Sequence, residues 1–193
     1  MRMKQIIVIG LLLCLCGICR GQKQFQPDTT INGKLVLENP QSVKTFLPDL
    51  QSPEICENRM RPYPFSLFVN KTGTTYLFAY CYEGSLRNEY SAFEIGYITD
   101  IAPLEGMKHY TVPDSLFTTE TSIKLGMDVE ELIKIKGKDF QRTGKTDENG
   151  SWLVYRIGAE SDFCRKYGMP DYVMKVRVSN GKINRICFGF EYP

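Results

Sequence analysis

Ser122-Ile123-Lys124-Leu125-Gly126-Met127-Asp128-Val129-Glu130-Glu131-Leu132-Ile133-Lys134-Ile135-Lys136-Gly137 reads as a tight turn, a short helix and a glycine stop. Gly126 permits the turn, Asp128 is the expected N-cap, and Glu131 stands three residues on as its capping-box partner. Val129, Leu132, Ile133 and Ile135 form the apolar side, and Lys134 and Lys136 suit the negative end of the helix dipole. Strand-like segments follow: Ser151 to Ile157, then Tyr172 to Val178 and Ile183 to Tyr192 across the turn Ser179-Asn180-Gly181-Lys182. Between them, Gln141 to Gly150 reads as a polar loop, and Gly158 to Pro170 as a loop with one helical turn around Cys164.

A weaker copy of this order lies upstream. Asn39-Pro40 starts a helix over Gln41 to Leu47, which Pro48 ends. Three strands are expected at Phe65–Asn70, Thr74–Tyr82 and Glu89–Ile98, spaced as an antiparallel meander. The predicted class is α+β: a tandem pair of small units, each a short helix on an antiparallel sheet of three to four strands. The divisions are a signal at 1–21, a loose leader at 22–30, a first unit at 31–100, a linker at 101–120 and a second unit at 121–193.

The N-terminus predicts export. Met1-Arg2-Met3-Lys4 is a positive segment, Ile6–Leu13 is an apolar run too short to span a bilayer, and small residues close it at Gly21. Acylation at Cys16 or Cys19 is the alternative, which would make a lipid anchor. The expected location is periplasmic or extracellular, with no transmembrane segment in the mature chain. Cleavage removes Arg2, Lys4 and Arg20, leaving 21 basic against 22 acidic residues, so the formal +2 becomes about −1. No basic excess remains to argue for a nucleic-acid partner.

Seven cysteines fall to four, Cys56, Cys81, Cys164 and Cys187. In an exported chain an even count predicts disulfides. Three connectivities exist. Cys56–Cys81 with Cys164–Cys187 keeps each bridge inside one unit, and each would contribute about 3 kcal/mol.

Catalytic signals are sparse. The chain has one histidine, His109, in the linker. No phosphate loop, nucleophile elbow or zinc-protease helix is present. The Asp147-Glu148 turn lacks calcium-loop spacing. No catalytic residue, metal or cofactor is assigned. The candidate binding residues are Tyr76, Phe78, Tyr80 and Tyr82, which alternate with Leu77, Ala79 and Cys81 along one strand. Four rings on one sheet face either offer a docking surface or form the core beneath the helix.

The run Ile123, Gly126, Met127, Val129, Leu132, Gly137, followed by strands and an Asn-Gly-Lys-Ile hairpin, resembles a known repeat. It is similar to that of the β-lactamase inhibitory protein and of the SmpA/OmlA-type outer-membrane assembly lipoproteins. The resemblance covers residues 121–193, and residues 31–100 more loosely. It implies an exported, non-enzymatic protein-binding scaffold with an envelope-assembly or inhibitory role and an unidentified protein partner. The alternative is a secreted hydrolase or carbohydrate-binding protein whose acidic site is not visible in the sequence.

Overall fold

Asn180 and Gly181, at φ 51° and 73°, close the strongest hairpin of the chain as the sequence predicts. The computed structural model describes residues 25–49, 52–57, 61, 63–101, 107–144 and 150–191. The signal segment, the first residues of the leader, the Asp147-Glu148 turn and Tyr192 lie outside the described residues.

The chain begins with a two-stranded ribbon, β1 (Thr30–Ile31) and β2 (Leu35–Val36), then a 3-10 turn (Pro40–Ser42) that runs into helix α1 (Val43–Phe46). The Asn39 side chain accepts from the Gln41 N–H, with Pro40 at the first position. Next comes the meander β3 (Phe65–Val69), β4 (Thr75–Tyr80) and β5 (Ala92–Tyr97), then the short β6 (Tyr110–Thr111) and helix α2 (Val129–Lys136). The chain ends with β7 (Gln141–Thr143), β8 (Ser151–Ile157), helix α3 (Asp162–Tyr167), β9 (Tyr172–Ser179) and β10 (Lys182–Phe190).

The class is α+β, with a few short helices on one large mixed sheet. Eight strands run in the order β6-β3-β4-β5-β10-β9-β8-β7. All neighbours are antiparallel except β6, which pairs parallel with β3. The two meanders meet where β5 pairs β10, with Gly96 opposite Arg185 and Ala92 opposite Gly189. One core cluster runs under the whole sheet, from Phe46 and Phe68 through Phe93 and Phe188 to Leu153 and Tyr155. The ribbon, α1, α2 and α3 cover this face, where Leu77, Ala79, Ile95, Val176 and Ile186 point.

Several segments differ from their sequence reading. The leader is not loose from Phe25 onward: that ring stacks on Tyr155 at 4.8 Å, and Asp28 is fully buried. The linker is part of the fold. It supplies β6 and buries Val112 and Phe117. The polar loop after α2 begins as the edge strand β7. Asp128 precedes α2 but makes no side-chain cap; its carboxylate pairs with Lys182 Nζ at 2.8 Å, tying the helix start to the hairpin. Lys136, expected at the helix surface, is 1% exposed and pairs with Asp28.

Candidate functional site

Alternation along β4 divides its side chains as expected, Leu77 and Ala79 to the helix side and Tyr76, Phe78 and Tyr80 to the other. Yet the aromatic side is not open. Phe65, Leu67, Tyr76, Phe78 and Tyr80 form a second buried cluster, packed against Cys56, Tyr63, Ile98, Ile101 and Met107. Tyr82, beyond the strand end, is buried as well, and its hydroxyl donates to the Phe190 carbonyl. The four rings therefore lie away from the helices, as a docking face requires, but loop segments cover them.

Within this cluster sits a carboxylate that the sequence reading missed. Glu94 is 8% exposed on β5, directly opposite Phe78 on one side and Cys187 on the other. Tyr76 Oη donates to its Oε1 at 2.7 Å and Tyr80 Oη to its Oε2 at 2.9 Å. Arg61 Nη1 lies 3.1 and 3.3 Å from the two oxygens, and its guanidinium stacks over the Phe78 ring at 4.1 Å. Arg185 Nε approaches no nearer than 4.0 Å. Burial, and next the Glu94 charge, push both tyrosines well above the usual phenol range. Gly96 makes room for this arrangement, because a β-carbon there would collide with the Tyr76 ring. The available signal was Glu94 alone among Phe93, Ile95 and Tyr97 at mid-strand, a placement that requires a partner.

Past β5 the same side of the sheet changes character. Pairing registers place Arg185 and Cys187 of β10, Lys175 and Arg177 of β9, and Trp152 and Val154 of β8 on it. Lys175 is exposed and the other five are half-buried. Trp152, Val154 and Cys187 belong to neither core cluster. A groove of about 410 Å³ lies at the boundary, lined by Tyr80, Tyr82, Glu94, Lys175, Cys187 and Glu191 among others.

The cysteines do not follow the expected pairs. All four are free thiols. Cys56 packs on the aromatic cluster while Cys81 lies in the helix-side core. Cys164 is in the helix-side core, whereas Cys187 shares the Glu94 side. Each expected bridge would have to cross the sheet, which the short reach of a disulfide forbids. Burial, then the Glu94 charge, raise the Cys187 thiol far above its usual value, so it is not a ready nucleophile.

His109 is exposed, with Nδ1 3.2 Å from the Met107 carbonyl oxygen. It borders a surface hollow with Asp49 and Lys71, away from Glu94. Among the described residues no group of three or more His, Cys, Asp or Glu side chains could hold a metal ion. No described helix is long and apolar enough to cross a membrane. Comparison with family models, curated proteins and solved structures found no match.

Proposed function

We propose that this chain is an exported, non-enzymatic protein-binding scaffold that docks its partner on the sheet face opposite the helices. The observation that carries the reading is the asymmetry of that face. Loops roof the aromatic half over β3–β5, while Trp152, Val154 and Lys175 on β8 and β9 remain accessible beside a groove. A half-covered sheet with an aromatic residue on its open part is a good interface platform. Tyr82 and Tyr80 contribute at the groove's edge, and Tyr76 and Phe78 act as the support beneath. The tandem character belongs to the same proposal: β3–β5 and β8–β10 are two three-stranded meanders, each with a helix on the same side.

Glu94 argues against the hydrolase alternative, because Tyr76, Tyr80 and Arg61 already engage both of its oxygens. The sequence of the signal-like segment 1–21 supports export. The test is site-specific photo-crosslinking in the native envelope, with the probe at Val154 or, as a control, at the exposed Glu130 of α2. Docking through the face predicts a discrete adduct from position 154 and none from 130. Adducts from 130 alone would sink the reading.

A further inference from the structure

We infer that the hollow between Glu38, Glu89 and Ser91 binds a primary ammonium group, carried by a free alkylamine or by a lysine side chain. The site is separate from the docking face. Among the described residues only Tyr82 lines both this hollow and the groove beside Glu94.

The hollow forms where the end of the β1–β2 ribbon meets the connection from β4 to β5. It measures about 290 Å³ and is lined by Glu38, Tyr82, Glu83, Glu89, Ser91 and Met169 among others. The Glu38 N–H donates to the Tyr90 carbonyl at 3.0 Å, and its φ of 55° is one that non-glycine residues seldom adopt. Glu89 is fixed by the Leu86 N–H, which donates to its Oε2 at 2.8 Å. Ser91, just before β5, is 0% exposed.

Two buried acceptors go unmet in this hollow. Neither Ser91 Oγ nor Glu38 Oε1 has a hydrogen-bond partner. The hydroxyl comes near enough to favour the Glu38 charge, but not in hydrogen-bond geometry. Buried polar atoms left so cost stability, and a donor between them would recover it.

Charge in the hollow is one-sided. Among the described residues no lysine or arginine lines it. Burial raises the Glu38 carboxyl above its ordinary value, the Ser91 hydroxyl lowers it in part, and the Glu89 charge raises it again, with no cation acting on it. The nearby Cys81 thiol is pushed up to about 12 by burial and then by these same two carboxylates. Two like charges thus share a partly buried space, which a bound cation would relieve.

The walls select the kind of cation. Calcium takes about six to eight oxygen ligands, and among the described residues no three metal-ligating side chains come together. An ammonium needs three acceptors. Glu38 Oε1, Ser91 Oγ and the Glu89 oxygen not engaged by Leu86 supply them. The Tyr82 ring and the Met169 side chain offer apolar surface to the alkyl stem, and an aromatic face itself attracts a cation.

The test titrates the protein with n-butylammonium, an end-blocked lysine tripeptide, tetramethylammonium and calcium, following the amide resonances of Glu38, Glu89 and Ser91 by NMR. Butylammonium should shift them saturably and raise Tm, since it binds only the folded state. Tighter binding of the tripeptide would assign the site to a lysine side chain, and tighter binding of butylammonium to a free amine. Tetramethylammonium, which has no N–H, should bind about tenfold more weakly than butylammonium or worse. Glu38→Gln should weaken butylammonium by about tenfold or more and Ser91→Ala by about threefold, each with the Tm of the free protein unchanged or raised. Equal binding of tetramethylammonium would overturn the ammonium assignment. Saturation by calcium at lower concentration than by butylammonium would overturn it in favour of a metal. No shift with any of the four probes would remove the site altogether. A fall of several degrees in Tm for both variants would show that Glu38 and Ser91 serve the fold, and would overturn the inference as well.

Discussion

Lys136 Nζ lies 2.7 Å from the Asp28 carboxylate with both side chains almost wholly excluded from water. The ammonium also donates to the Gln26 carbonyl, and Asp28 accepts from the Thr121 N–H and hydroxyl. A buried ion pair of this kind barely offsets its own desolvation, but removing one member strands the other. Asp28→Asn is therefore expected to cost about 3–5 kcal/mol in chemical denaturation, and adding Lys136→Met should recover part of that loss. Additive losses would mean that the two do not act as a pair. At Gly96, Ala would drive the Tyr76 ring off Glu94. The expected cost is about 1–3 kcal/mol, and an unchanged midpoint would contradict the close packing. Neither residue's role was legible in sequence. A helix-terminal Lys reads as solvated because its partner lies 108 positions away, and Glu94 gains meaning only when β4 and β10 flank it.

Elements with local causes were readable and elements with distant causes were not. The β9–β10 hairpin follows from Asn180-Gly181, and the 3-10 turn that leads into α1 starts at Asn39-Pro40, because a turn and a cap are decided within a few residues. By contrast, β6 and β7 are two and three residues long, too short to show a period, and exist because β3 and β8 offer them an edge. The Phe25–Thr29 strap has no periodicity either. It is held by the Phe25–Tyr155 stack and by Tyr172 Oη, which donates to the Asp28 carbonyl. Starting the chain at Thr30 should lower Tm by at least several degrees relative to a start at Gln22, and an unchanged Tm would restore the loose-leader reading. The cysteine expectation failed for a similar reason. Sequence proximity placed partners within one half, but the fold puts them on opposite sides of the sheet. Peptide mapping without reductant should find neither Cys56–Cys81 nor Cys164–Cys187.

At the scale of the molecule, the sheet has two covered regions and one open one, and its stability leans on buried phenols. Six tyrosines, at 76, 80, 82, 90, 155 and 172, are raised above the ordinary value, chiefly by burial, with Tyr155 at about 12. An acid whose folded value is raised stabilises the fold fully below its unfolded value, here near 10, and that contribution is lost as pH climbs through the folded one. Alkaline titration should hence show phenolate absorbance from these tyrosines appearing together with loss of circular dichroism, in one steep step above about pH 10. Gradual ionisation near 10 with structure retained would show that the rings are not buried as described. The sharpest test of the half-open face is oxidative footprinting of the native protein, read residue by residue. Trp152 should label readily while Tyr76 and Phe78 resist until unfolding. Equal protection of all three, or fast labelling of Tyr76 and Phe78, would contradict the account.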